Sequence, residues 1–383
     1  MNRRFVNLII HGFIGDHAAS TLHRINPWRC FYPTTQQALA AASAAANTSW
    51  PIMEDARLPR PVMSFYKPSP PDGFGDIHFA PSGGPGSNDI ISMDQDGNTL
   101  LFDAAARAIR VMPMPHSPKY SPVSVAVGDA LYLLDWNPRT IVDEHSFEAL
   151  VHHPRRRPAH SLGDDDETWY WRSLPSPPCV ADEYYEVRKV GDVDEYNMRC
   201  YERNGKDPYV LKAYTVVGGS QIMISTEGGG TFSFDTTSGV WSEAGDWALP
   251  FDGRVEYAPE LGLWFGFTPP AEGRRFGACD LGASSPTRPP VLEETWYELA
   301  SPLPRRWAPV LKFVLPLGSG KFCVARMFNL GEEGRCPEKD SDFLPVETFV
   351  VFTGVEIERG TLRMIRHKSR RYSLSPSFFG VLL

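Results

Sequence analysis

The sequence lacks most of the motifs by which catalytic and metal-binding proteins are recognised. It contains no GxxxxGK[ST] phosphate loop, no GxSxG nucleophile elbow and no HExxH zinc motif. The glycine clusters at 83–86 and 228–230 have no following Lys-Ser/Thr, so they predict turns. His152 and His153 are adjacent, and in a strand they would point to opposite faces and could not share one metal. We therefore assign no catalytic, cofactor-binding or metal-ligating residues and expect no cofactor.

Cysteine is scarce and scattered. The 383 residues include 6 cysteines, and the two nearest, Cys323 and Cys336, are 13 positions apart. This spacing excludes CxxC zinc and redox motifs. A chain of this length does not need disulfides to be stable, so we expect reduced thiols in a reducing compartment.

Neither a basic excess nor a long apolar run is present. Lys and Arg number 38 against 46 Asp and Glu, which gives a net charge of -8 and argues against a nucleic-acid partner. No segment reaches the roughly 18–20 apolar residues of a membrane helix. The apolar run at 5–10 is shorter than the roughly 7–15 residues of a signal-peptide core, so it predicts a strand. We expect the cytoplasm, the nucleus or both, with organelle import less favoured.

What the sequence does have is turn-forming and aromatic residues. It holds 32 Gly and 35 Pro, and 12% of its residues are aromatic, a composition that excludes both a helical bundle and a disordered chain. Short apolar or alternating runs separated by turn residues predict an all-β protein. One Ala-rich helix is predicted near 34–46, with Thr34 or Thr35 as its N-cap.

The strands recur as repeats. A glycine turn, a strand and Phe-Asp occur at 97–103 and 230–235, with a degenerate copy at 276–280; an aromatic strand ending near proline occurs at 168–175 and 295–302. Spacings of 55 residues from Trp241 to Trp296 and 45 from Asp235 to Asp280 are typical of kelch-type propeller blades. We predict a single, monomeric β-propeller domain over 1–383 with about six four-stranded kelch-like blades, seven being the alternative. The predicted blade units are 60–116, 120–178, 208–250, 254–304 and 308–360, with a closing blade that mixes N- and C-terminal strands from 1–30 and 361–383.

Aromatic and acidic residues fall at fixed places in these repeats. Four tryptophans at equivalent positions predict packing between blades: Trp169, Trp171, Trp241 and Trp296. Three aspartates that end strands predict hydrogen bonds to their own turns rather than a catalytic set: Asp103, Asp235 and Asp280. Three tryptophans near predicted connections are candidates for an exposed protein-binding rim: Trp136, Trp247 and Trp307.

The strongest charge feature lies between two predicted strands. It consists of three basic and four acidic residues: Arg155, Arg156, Arg157, Asp164, Asp165, Asp166 and Glu167. The segment is interpreted either as a solvated, partly disordered hairpin loop or as an electrostatic docking loop that belongs to the same binding rim.

Several segments together resemble a known family. They are residues 2–8, 22–25, 31–34, 58–65 and 99–103, and they are similar to a large family of grass proteins of unknown function whose members look like kelch-type or F-box-associated β-propellers. The resemblance implies a plant protein with a propeller fold. It carries no catalytic residues, and the roughly 40 mostly helical residues of an F-box are not visible.

The favoured function is therefore a non-catalytic scaffold that binds an unidentified protein partner. Propellers present their connecting loops for binding, and loops are where binding residues concentrate. The alternative is an enzyme or small-molecule binder that uses the propeller channel. A diverged family member acting through one cellular partner is a third interpretation, which the sequence does not separate from the scaffold.

Overall fold

The computed structural model of the chain describes residues 4–14, 17–45, 53–66, 77–83, 89–119, 121–138, 145–154, 167–180, 210–228, 230–299, 302–331, 345–374 and 379–383. These residues form 26 strands, one α-helix and four short 3-10 helices. None of the helices within these ranges is long and apolar enough to cross a bilayer. The α-helix, α1, spans Thr35–Ala45. The strands, in chain order, are β1 Val6–Ile14, β2 His17–Ile25, β3 Met53–Ala56, β4 Met63–Tyr66, β5 His78–Pro81, β6 Ile90–Met93, β7 Thr99–Asp103, β8 Ala108–Met112, β9 Val123–Val127, β10 Ala130–Leu134, β11 Phe147–Pro154, β12 Glu167–Ser173, β13 Leu211–Val217, β14 Gln221–Thr226, β15 Thr231–Asp235, β16 Val240–Gly245, β17 Gly253–Arg254, β18 Glu256–Ala258, β19 Leu263–Phe267, β20 Phe276–Cys279, β21 Leu292–Trp296, β22 Trp307–Gly318, β23 Lys321–Leu330, β24 Glu347–Ile357, β25 Met364–Leu374 and β26 Phe379–Leu382.

The chain divides into two compact units. The first contains residues 1–69, 250–281 and 291–383, and the second contains residues 70–249 and 282–290. The second unit has three antiparallel sheets with strand orders β5-β6-β7-β8, β12-β11-β10-β9 and β16-β15-β14-β13. Each sheet is a meander of strands that follow one another in the chain, and short glycine turns join β9 to β10 and β13 to β14.

The first unit holds the other three sheets, and two of them combine distant parts of the chain. One sheet, β18-β19-β20-β21, is again a meander. Another, β22-β23-β24-β25, gains β3 through parallel pairing of Met53–Ala56 with residues 369–372. The last, β26-β1-β2-β4, joins strands from both ends of the chain.

The fold class is a six-bladed β-propeller of mostly four-stranded antiparallel sheets with one α-helix, as the repeats predicted. The mixed N- and C-terminal blade is present as well. Two strands lie in blades other than the predicted ones. Residues 364–374, expected in the closing blade, form one long hairpin strand with β24, and Met63–Tyr66, expected in the first unit of the series, pairs with β2. β24 pairs with β25 from Thr348 to Ile357, with one register shift between Thr353 and Val355.

Tryptophans link consecutive blades within the second unit. The indole Nε1 of Trp171 donates to the carbonyl oxygen of Pro113 at 2.8 Å, and that of Trp241 donates to Pro175 at 2.7 Å. Each tryptophan lies on the outer strand of its blade, and each proline follows the outer strand of the preceding blade. These two contacts confirm that Trp171 and Trp241 link consecutive blades.

The glycines and aspartates that the sequence placed at turns do form turns in the structure. Gly128, Gly218 and Gly219 have positive φ angles of 59°, 61° and 75°, which glycine adopts without strain. Asp103 accepts hydrogen bonds from the backbone N–H groups of the next turn at 2.7 and 2.9 Å. Asp235 accepts a hydrogen bond from the backbone N–H of Thr237 at 2.9 Å. This bond is the main reason that the pKa of Asp235 lies below its ordinary value. Both carboxylates therefore stabilise turns.

The predicted helix is present and is attached to a strand. Thr34 caps its N-terminus, accepting a hydrogen bond from the backbone N–H of Gln37 at 3.3 Å. Thr35 donates to the carboxylate of Glu356 at 3.0 Å, and Ala38 is fully buried. Because the helix has little apolar surface of its own, these contacts hold it against the first unit.

Gly354 gives a test of packing in the first unit. A β-carbon at this position would overlap the carbonyl oxygen of Cys30 and lie 3.0 Å from its carbonyl carbon. Backbone atoms cannot swing aside, so we expect Gly354→Ala to lower the free energy of unfolding by about 1–3 kcal/mol, as overpacking does. Gly277→Ala, whose nearest atom would be a leucine methyl at 3.3 Å, should have a smaller effect. Equal denaturation midpoints for the two variants would contradict the close contact.

Candidate functional site

The three tryptophans proposed as an exposed rim are all partly or largely buried. Trp247 is 9% exposed. Trp307 is half-buried against Phe328 and Phe349, with ring centroids 5.2 and 4.8 Å away. Trp136 is half-buried against an apolar cluster of the second unit. Burial follows from the large apolar area of the indole ring. The role of these residues in protein binding stays a prediction.

The charged residues of the predicted rim lie outside the described part of the chain: Arg155, Arg156, Arg157, Asp164, Asp165 and Asp166. The strand before them, β11, extends to Pro154 and includes both His152 and His153. The His152 ring packs on Trp169 at 4.6 Å between centroids.

One of these tryptophans, Trp247, lines a surface pocket in the second unit. The pocket has a volume of about 620 Å³ and lies between the end of β16 and a tight turn, Ser285 to Arg288, whose ends exchange backbone hydrogen bonds of 2.9 and 3.0 Å. Its lining residues are Glu243, Gly245, Asp246, Trp247, Pro286, Thr287 and Pro289. The charged side chains of this lining are both acidic, and the rest are aromatic, proline or small.

Hydrogen bonds fix the position of Trp247. Its Nε1 donates to the carbonyl oxygen of Ser285 at 2.9 Å, and its own carbonyl oxygen accepts from Thr231 Oγ1 at 2.6 Å. The indole lies directly over Gly245, where a β-carbon would overlap the ring. Any other rotamer of Trp247 would break the hydrogen bond from its Nε1. The ring is therefore held in one position and forms a preorganised wall of the pocket.

A second group of polar residues, also in the second unit, was not foreseen from the sequence. His116 follows β8, His145 lies in the turn before β11, and Glu148 is the second residue of β11. One potential ligand atom of each residue lies within 4.8 Å of the other two. Within the described ranges, these three side chains form a His and carboxylate group that is close enough together to hold a metal ion.

Glu148 is fixed by a buried ion pair. Its Oε2 lies 2.7 Å from Nζ of Lys119, and both side chains are 0% exposed. Lys119 also donates to the carbonyl oxygen and the hydroxyl of Ser117 at 2.9 and 3.1 Å. Burial alone would raise the pKa of Glu148, but the hydrogen bonds from Lys119 and His116 outweigh it, and the net pKa is lowered. The carboxylate therefore stays ionised, with Oε1 facing His116 Nδ1 at 2.5 Å.

The two histidines stack and share a hydroxyl. Their ring centroids are 5.0 Å apart with an interplanar angle of 21°. Ser173, the cross-strand partner of Glu148, places its Oγ 2.7 Å from Nδ1 of His145 and 3.4 Å from Nδ1 of His116. His116 is 47% exposed, so the group opens to solvent on its side. Two imidazoles and a carboxylate that converge in this way can bind a transition-metal ion or hold a proton.

Sequence reasoning missed this group because its members have no recognisable spacing. His116 and Glu148 are 32 residues apart, and His116 reaches Glu148 from the connection after β8, a strand of another sheet. One signal was available: Glu148 interrupts the apolar residues at the start of β11 at a fully buried position. A buried carboxylate needs a partner, so such an interruption marks a polar cluster.

Comparison with solved structures finds weak likenesses. A protein from Lactobacillus plantarum is 9% identical with a TM-score of 0.40, the match covering 99% of each chain. The N-terminal domain of Nup159 is 10% identical with a TM-score of 0.30, and the match covers 75% of this chain and 58% of that one. The chain thus spans less than two thirds of the Nup159 chain.

Comparison with curated proteins gives no match, whereas comparison with protein families does. The model of a family described as "Protein of unknown function (DUF1668)" matches residues 3–372, almost the whole chain. This chain is a member of the DUF1668 family.

Proposed function

We propose that this protein is a non-catalytic, monomeric interaction scaffold of the kelch-like propeller type, acting in the cytoplasm or nucleus of a plant cell. The observation that carries the proposal is the Trp247 pocket. Its partner is a protein that inserts a short segment bearing Lys or Arg. The compartment and the plant origin come from the composition and from the sequence resemblance.

The chemistry of the pocket supports a peptide ligand. A rigid tryptophan beside two prolines offers a preorganised apolar surface, and aromatic anchors of this kind dominate many protein interfaces. Glu243 and Asp246 are exposed at the pocket and give it negative charge. Complementary charge selects basic segments and excludes acidic ones, since like charges at an interface are unfavourable.

The hydrogen bonds of the repeated aspartates favour a scaffold over an enzyme. A catalytic propeller is expected to direct carboxylates or histidines from several blades toward a substrate. Asp103 and Asp235 instead bind the backbone of their own turns. Each of these side chains is accounted for by local structure.

Charge reversal in the pocket tests the proposal. We expect the double variant Glu243→Lys/Asp246→Lys to bind partner segments about tenfold or more weakly than the parent protein, because lysines would repel a basic segment. The probe is an array of twelve-residue peptides, and the partner proteins recovered by proximity labelling and pull-down are compared in parallel. Peptides retained by the parent protein should be enriched in Lys and Arg.

The control carries the same change of charge elsewhere. Glu293→Lys/Glu294→Lys alters two exposed acidic residues of β21 in the first unit and should leave binding unchanged. The proposal is overturned if the pocket double variant retains the same peptides and partners as the parent protein. It is also overturned if both double variants lose them equally.

A further inference from the structure

We propose that His116, His145 and Glu148 form a binding site for Zn²⁺ or a similar divalent transition-metal ion. The site is independent of the Trp247 pocket. Imidazole nitrogens suit zinc, and two histidines with one glutamate are a known protein donor set for this ion. Three protein ligands leave a fourth position for water or for a group from another molecule.

The ligand set is partly assembled. One ring nitrogen of each histidine and one carboxylate oxygen of Glu148 lie within 4.8 Å of one another. Bonds of roughly 2.0–2.2 Å in tetrahedral geometry would place ligand atoms about 3.3 Å apart. Nδ1 of His116 and Oε1 of Glu148, 2.5 Å apart, would move apart slightly, and the wider pairs would close by at most about 1.5 Å. The side chain of His116 is 47% exposed and has room for this movement.

Surrounding residues orient two of the ligands. Lys119 binds Oε2 of Glu148 and leaves Oε1 toward the histidines. The hydroxyl of Ser173 lies 2.7 Å from Nδ1 of His145 and holds this ring beside the other two ligands. Metal-binding histidines and carboxylates commonly have such hydrogen-bonded partners, which set the tautomer and hold the ligand in place.

The short contact between His116 and Glu148 marks the metal position. Nδ1 of His116 and Oε1 of Glu148 are 2.5 Å apart. A Zn²⁺ ion bound to both atoms would take the place of the hydrogen bond between them.

Calorimetric titration of the tag-free full-length chain with Zn²⁺ tests the site. We expect one ion to bind per chain and His116→Ala and His145→Ala each to reduce the affinity at least about tenfold, as loss of a ligand or its orienting partner does. His17→Ala is the control, since this exposed histidine lies in the other unit and should leave the affinity unchanged. Excess Mg²⁺ should not displace Zn²⁺, because Mg²⁺ prefers oxygen ligands.

Cobalt gives a second readout. Co²⁺ bound in the same site should show the visible absorption bands of a four-coordinate nitrogen–oxygen site, and these should disappear in His116→Ala. A thermal melt of each variant verifies folding. The proposal is overturned if the parent protein binds no stoichiometric Zn²⁺, or if His116→Ala and His145→Ala bind it as tightly as His17→Ala does.

Discussion

Glu148→Ala is expected to lower the free energy of unfolding by about 3–5 kcal/mol, the range seen when one partner of a buried ion pair is removed. Lys119 would keep its charge at a fully buried position and lose its contact with the carboxylate. His116 would lose both its ring and its backbone hydrogen bond to Glu148. The measurement is equilibrium denaturation at pH 7, followed by far-ultraviolet circular dichroism.

Two variants distinguish the ion pair from loss of side-chain volume. Glu148→Leu/Lys119→Met removes both charges and should be far less destabilised than Glu148→Ala, since an apolar pair leaves no buried charge. Glu294→Ala removes an exposed carboxylate and should change stability by less than about 0.5 kcal/mol. If Glu148→Ala were no more destabilised than Glu294→Ala, the buried pair would be refuted.

The same residue gives a pH dependence of known sign. The pKa of Glu148 is lower in the folded protein than its ordinary value of 4.5, so the folded state favours the ionised form. Its contribution to stability is complete above pH 4.5 and is lost as the pH falls through the folded pKa. The stability difference between the parent protein and Glu148→Ala should therefore be largest near neutral pH and shrink below pH 4.5. A difference that grew on acidification would contradict the lowered pKa.

Phe265→Ala is expected to have an effect of similar size in the first unit, about 3–5 kcal/mol. Phe265 is fully buried on β19, with its ring 4.5 Å from that of Phe322 and 5.7 Å from that of Phe276. Phe322 belongs to the next blade, so truncation leaves a cavity between two sheets as well as removing buried apolar area. Chemical denaturation followed by tryptophan fluorescence is the measurement, because Trp296 lies 6.4 Å from the Phe265 ring.

Two further substitutions serve as controls for Phe265→Ala. Phe265→Leu retains most of the buried volume and should be destabilised by clearly less than Phe265→Ala. Val291→Ala, at a position 71% exposed in the same unit, should change stability by less than about 0.5 kcal/mol. A loss below 1 kcal/mol for Phe265→Ala would mean that this aromatic contact does not hold the two blades together.

Much of the fold was predictable because its signals are local. Hairpins at Gly128 and at Gly218-Gly219 and the alanine-rich helix follow from turn geometry and helix propensity. The repeat of tryptophan and proline predicted contacts between blades, and Trp171 and Trp241 make them. Each of these features depends on residues that are close in sequence or that recur at a fixed period.

The sequence by itself therefore determined the all-β propeller class, the helix and the turn-forming roles of Asp103 and Asp235, whereas the choice between six and seven blades came from the structure. Only the tertiary structure showed that β3 pairs with β25. It also showed that Trp247 is hydrogen-bonded to Ser285, and that His116 lies close to His145 and Glu148. The physical reason is that alternation and turn chemistry act over a few residues, whereas these contacts arise from strand register and from the packing of one blade on the next. No local pattern encodes which distant side chains those two choices bring together.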